Sequence, residues 1–321
     1  MENNSNIIHQ MHYDDKNLNK LGFIDYVQLI NKIKYNTLNN EDGQFSFLNE
    51  DSRMIFDEKY ITAREGGINI FDNPFLRIGA CKRQVFFKIK GALGEDNDLN
   101  FIEYVERNQL IVNQWIRKFN TCNVLREIEP PVEKNILKLN LKCFSKYYIY
   151  DQVKEKEYVL MIKPVNDMAF PIKDRIFHDG KPLINDLCEI ALTLLYYNKP
   201  VKILYVGKNN SEAYKEINCG ISNGFLTYDD FEDKTINLKL LIKDCVELQN
   251  LINDEVIPKR DYLINENISI QNLQEMVVNN IITSKDANLY MHQPFTSFQC
   301  KLCKYRKICE EIGKDYEVIK W

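Results

Sequence analysis

The chain carries no P-loop and no G-x-G-x-x-G run, which argues against a helicase or an NTPase. No apolar run is long enough to span a bilayer. The opening segment MENNSNIIHQMHYDD lacks the basic region and apolar core of a secretory leader. These absences set the expectation of a cytoplasmic chain with no membrane partner. Positive charge is also lacking. Lys and Arg total 42 against 46 Asp and Glu, a formal net charge of −4, so no global basic footprint points to nucleic acid. A local basic face stays open, because the field at a cleft depends on nearby charges. His9, His12, His178 and His292 show no paired metal-ligand spacing, and there is no internal repeat, coiled coil or low-complexity tract.

What is present is the composition of a globular protein, with 45% hydrophobic and 27% charged residues over 321 positions. That length suits one large domain or two ordinary ones. Nine cysteines without a leader suggest a reducing compartment, where clustered thiols serve as metal ligands more often than as disulfides. Cys300, Cys303 and Cys309 form a C-x2-C-x5-C run in QCKLCKYRKIC, and Cys81 lies far upstream in RIGACKRQVFF. Four thiolates of this kind can complete a tetrahedral sulfur site, for either Zn²⁺ or an iron–sulfur cluster. Such a centre would staple distant parts of the chain together. Cys122, Cys143, Cys188, Cys219 and Cys245 have no partner spacing and read as core or surface thiols.

Basic residues flank the candidate ligands: Arg77, Lys82 and Arg83 near the first, and Lys301, Lys304, Arg306 and Lys307 near the others. Brought together, they would form a phosphate-binding surface whose affinity falls steeply with salt. The other reading is that some of them offset the charge of the thiolates.

The pattern predicts a mixed α/β order. An amphipathic helix fits 23–35 within an N-terminal extension or small cap over 1–70, ahead of a main domain over 71–321. A second helix fits 101–119, where Ile102, Val105, Ile111, Trp115, Ile116 and Phe119 share a face. A short strand follows at 123–129. Residues 137–151 read as one long aromatic strand that turns at QVKEKE and returns over 158–163. A buried helix at 183–197, a strand at 202–207 and a helix at 235–254 complete the reading.

Taken together, R-x-G-A-C-x-R, a hairpin ending in Lys163, a helix and strand, and a terminal C-x2-C-x-Y-x3-C resemble the PD-(D/E)xK nuclease superfamily. More narrowly, they resemble its RecB-like exonucleases with a four-cysteine cluster, the type found in CRISPR adaptation proteins and the AddB nuclease domain. The resemblance covers roughly residues 75–310. It implies a restriction-endonuclease-like mixed sheet flanked by helices and stapled by a metal cluster. It also implies Cys81, Cys300, Cys303 and Cys309 as ligands of a [4Fe–4S] cluster rather than Zn²⁺, Tyr305 as the motif aromatic, and Lys163 as the catalytic lysine. The implied partner is DNA, as single strands or duplex ends, within a DNA-processing protein assembly. The phosphate contacts would fall to Arg77, Lys82, Arg83, Lys304, Arg306 and Lys307.

The family's acids are missing from their places. Met161 stands two residues before Lys163, and Tyr148 stands where the first hairpin strand should offer Asp. Neither suits Mg²⁺ or Mn²⁺, which take charged oxygen ligands. The expectation is therefore a degenerate site. The alternative is an active metal-dependent exo- or endonuclease whose acids have moved, with Glu127, Glu129, Asp151 and Asp167 as candidates.

Overall fold

In the computed structural model, the described residues are 22–38, 60–69, 77–92, 94, 99–129, 132–169, 172–210, 212–229, 231–278 and 282–313. Most of the expected N-terminal cap over 1–70 lies outside them. What is described there is helix α1 (Phe23–Leu38) and the short strands β1 (Ile61–Thr62) and β2 (Gly67–Asn69).

The chain then runs through β3 (Arg77–Gly79), α2 (Lys82–Ile89) and the long α3 (Leu99–Thr121). Strands β4 (Leu125–Glu127), β5 (Lys134–Ile136) and β6 (Leu139–Lys142) follow, then the hairpin of β7 (Tyr147–Asp151) and β8 (Lys156–Val165). Helix α4 (Leu187–Tyr197) leads into β9 (Val201–Gly207). A meander of β10 (Tyr214–Ser222), β11 (Phe225–Tyr228) and β12 (Phe231–Asn237) comes next. The C-terminal part is helical: α5 (Leu238–Asn253), α6 (Ile270–Val278), α7 (Ser284–Tyr290), α8 (Phe298–Lys301) and α9 (Arg306–Ile312).

Seven strands form one sheet in the order β12-β11-β10-β9-β8-β7-β4. Only the β8–β9 pair is parallel, so the sheet is mixed, and α4 makes the crossover between those two strands. The central β9 is buried at every residue, as expected of a strand covered on both faces. Alternation along β8 divides the core. Val159, Met161 and Val165 join α2, α4 and α5 on one face, whereas Tyr158 and Leu160 join α1 and α3 on the other. The fold is thus a large mixed sheet flanked by helices. Among the described residues no helix is long and apolar enough to cross a membrane.

The expected helices and strands form within a few residues of their predicted bounds, with one exception. Residues 137–151 are not a single strand. The chain leaves extended pairing at 143–146; β6 pairs with β5 and with β1 in a separate small sheet, and only β7 pairs with β8.

Candidate functional site

Helix α2 and the α8–α9 segment meet around one small cavity of about 20 Å³, part of it open to solvent. Cys81, Cys300, Cys303 and Cys309 all line it, together with Phe87, Tyr262 and Tyr305. Each cysteine is held by local backbone. Cys81 occupies the N-cap position of α2, in extended conformation, and does not cap the helix with its own side chain. The Lys82 N–H instead donates to the Asp261 carboxylate at 2.5 Å, placing an anion at the helix start. Cys300 lies in α8, Cys303 in the turn beyond it and Cys309 in α9. The Tyr305 ring packs 5.7 Å from that of Phe87, joining α9 to α2.

Without a bound metal Cys81, Cys300 and Cys303 are reluctant to ionise. Burial, reinforced by the Asp261 charge, pushes Cys81 up to about 12. Burial and then the neighbouring Cys81, Cys309 and Cys303 push Cys300 up to about 12, and burial raises Cys303. Burial also raises the Asp261 carboxyl, against the pull of Arg77 beside it.

The donor set suits a thiophilic metal centre: four sulfurs, one cavity and an aromatic wall. Among the described residues, however, no group of three or more His, Cys, Asp or Glu side chains is arranged to hold a metal ion. A tetrahedral zinc would need its sulfurs in a tight shell at about 2.3 Å from the ion. A four-iron cube, bound at its corners, sets its ligands further apart.

The expected cationic surface is not formed as predicted. Arg77 is buried, donating to the Ala80 carbonyl and pairing with Asp261 at 3.2 Å and Asp244 at 3.6 Å. Lys82 pairs with Asp244 at 2.7 Å. Arg83 is 1% exposed and donates to the Pro258 and Gly313 carbonyls. These three cations are spent inside the protein, because acids and carbonyls from residues 244–261 and 313 fold over them. Lys301, Lys304 and Lys307 remain exposed, with Lys304 over the Tyr305 ring at 4.9 Å, and Arg306 pairs with Glu310 at 2.9 Å.

The second cluster lies on the α4 face of the sheet. Tyr148, opposite Val159 in the hairpin register, shares that face with Met161 and Lys163. The Lys163 ammonium does not reach solvent as a lone strand-end lysine. It is clamped by Glu189 of α4 and by Asp186 just before it, the latter at 3.4 Å. Burial works against this charge, but the Glu189 and Asp186 carboxylates outweigh it and hold the Lys163 pKa above its ordinary value. Tyr205 donates to the other Asp186 oxygen at 2.8 Å, and Arg64 stands 3.7 Å from the other Glu189 oxygen. Met161 is buried in the core, and the Tyr148 ring packs against Tyr197 with Arg126 and Lys199 each 4.8 Å from its centre.

The carboxylates expected to have moved do not meet Lys163. Glu127 is opposite Tyr147, on the α3 face, and Asp151 is fully buried there against Lys202 at 2.8 Å. Asp167 faces the loop after β9, accepting from the Asn209 backbone N–H at 2.9 Å. Glu129 is exposed beyond β4. The acids beside Lys163, Asp186 and Glu189, went unread in the sequence. Asp186, one residue before the start of the buried helix α4, and Glu189, two residues after it, give no local sign of a partner on β8.

No family model matches this chain, and no curated protein matches it. A solved structure, "Crystal structure of SSO0001", aligns over 88% of this chain and 96% of its own at 14% identity, with a TM-score of 0.36. That likeness is too low to bear on fold or function.

Proposed function

We propose that this protein is a catalytically degenerate nuclease-fold protein that binds DNA in a processing assembly and carries a [4Fe–4S] cluster on Cys81, Cys300, Cys303 and Cys309. The observation that carries the reading is the meeting of all four thiols, from widely separated parts of the chain, at one cavity. When bound, such a cluster supplies cross-linking of the fold through Fe–S bonds. The chain's own residues do the rest. Asp261 fixes the start of α2, and hence Cys81, while Tyr305 and Phe87 wall the cavity from solvent. Lys304, Arg306 and Lys307 are the remaining candidates for phosphate contact, since Arg77 and Arg83 are buried and Lys82 is held by Asp244.

Degeneracy is supported by the surroundings of Lys163. Hydrolysis by two acids and a metal needs carboxylate oxygens free to bind Mg²⁺ or Mn²⁺. Here the neighbouring acids hold Lys163, Arg64 and the Tyr205 hydroxyl instead. A relocated active site remains the second reading because Asp186 and Glu189 do stand beside that lysine.

One preparation tests both. Protein purified without air should be brown and contain iron and sulfide, and Cys303→Ala should lose the metal and much of its stability. The intact protein should bind DNA in a salt-sensitive way without cutting it in Mg²⁺ or Mn²⁺. Stoichiometric zinc in colourless, folded protein would replace the cluster assignment. Cleavage by the intact protein that Glu189→Gln abolishes would overturn degeneracy.

A further inference from the structure

Three arginines line the same cavity as the four cysteines, and two of them, Arg83 and Arg260, each keep a buried N–H without a hydrogen-bond partner among the described residues. Arg83 donates through Nε to the Pro258 carbonyl at 2.7 Å and through Nη1 to the Gly313 carbonyl at 2.7 Å. Its Nη1 also reaches the Cys309 sulfur at 3.5 Å, whereas Nη2 has no partner. Arg260 donates through Nη1 to the Ile264 carbonyl at 3.5 Å and stands 3.7 Å from Glu266, whereas its Nε has none. Their side chains are almost wholly inside the protein.

Leaving a buried donor unpaired costs about 1–3 kcal/mol, more when it is charged. Two such donors at one cavity call for an acceptor there. Neutral thiols are weak acceptors and leave both of these N–H groups unmet, although Glu266 lies beside the Arg260 charge. Four thiolates around Zn²⁺ or a dicationic cluster core leave a net charge of about −2 by simple subtraction. Two guanidiniums match that charge.

We propose that Arg83 and Arg260 are the hydrogen-bonding counter-cations of an anionic metal–thiolate centre, setting how firmly the metal is held and, for iron, how readily the centre accepts an electron. The proposal rests on the cluster reading above. Arg83 approaches Cys309, while Arg260 lines the cavity together with Cys300. Both are positioning residues, since they would act on the ligands' sulfurs and not on the metal.

The test uses the full chain, purified without air, with Arg260→Gln, Arg260→Lys and Arg83→Lys. Far-UV and thermal melts establish that each variant is folded. Metal loss to excess chelator and the midpoint potential are then measured. Arg260→Gln should lose its metal about tenfold faster or more, as when a neighbour of a metal ligand is removed. Its potential should move to more negative values, because a cation favouring the reduced state has gone, and Arg260→Lys should restore part of both. Arg83 also ties down Pro258 and Gly313, so Arg260 decides the matter if Arg83→Lys does not fold. A folded Arg260→Gln with the parent's chelator half-life and potential would refute the proposal while leaving the cluster intact. A parent protein holding zinc moves the test to the chelator alone. A parent holding no stoichiometric metal removes the cluster reading, and this proposal with it.

Discussion

Lys202, the second residue of β9, has no solvent exposure; it pairs with an equally buried Asp151 and lies 4.9 Å and 4.8 Å from the ring centres of Phe23 and Tyr158. Asp151 also accepts the Val153 and Lys154 N–H groups and so closes the β7–β8 turn. Breaking such a pair leaves a buried charge alone, which typically costs about 3–5 kcal/mol. Lys202→Met should cost about that much in urea unfolding, and adding Asp151→Leu should recover part of it. Lys163 gives a prediction in pH. Folding raises its pKa, so its contribution is complete below the unfolded value of about 10.4 and is lost as pH rises through the higher folded value. The parent should therefore lose stability at alkaline pH more steeply than Lys163→Met, as read from melting temperatures across that range.

At the scale of elements, the turn into α2 carries the tightest constraint. Gly79 has φ +93° and pairs with Gly67 across β2–β3; a Cβ there would fall 2.1 Å from the Gly66 carbonyl oxygen. Gly79→Ala must open that pair, at about 1–3 kcal/mol for the backbone strain alone, and shift Cys81 two residues on. It should lower both the melting temperature and the bound metal. Gly91→Ala, with nothing within 4 Å, should leave the metal in place. Long periodic elements such as α3 were legible in the sequence because burial on one face writes itself into spacing. The β10–β11 hairpin carried a signal that went unread: Asn223-Gly224, both at positive φ, in the two-residue turn that such pairs favour. The break at 143–146 had no such mark. The four cysteines were legible as a group because they need only be counted and spaced, and they do line one cavity. The fate of the cations was not. Whether Arg83 meets solvent or the Pro258 carbonyl is decided by contacts 175 positions apart, which no local pattern records. The same holds for Asp186 and Glu189, which reach Lys163 only once α4 has crossed over the sheet.

For the whole molecule, an acidic chain binding DNA must do so through a local field. On the proposed reading, with Arg77 and Arg83 buried and Lys82 paired to Asp244, that field would rest on the α8–α9 segment. Replacing Lys304 and Lys307 by Ala should reduce the slope of log affinity against log salt by about two on duplex DNA, one phosphate contact each. Lys82→Ala should lower stability and leave the slope unchanged. The cavity also has a temporal meaning. Arg83 and Cys309, in contact within it, are 226 positions apart in the chain. A ribosome delivers Cys81 well before Cys300, Cys303 and Cys309. No product that stops short of α9 can therefore close the cavity, and a nascent chain must keep Cys81 without those neighbours while nearly all of the sheet forms. On the proposed reading, metal uptake would then follow the emergence of α9. A chain cut short before α9 would be left with an open wall and no means of sealing it.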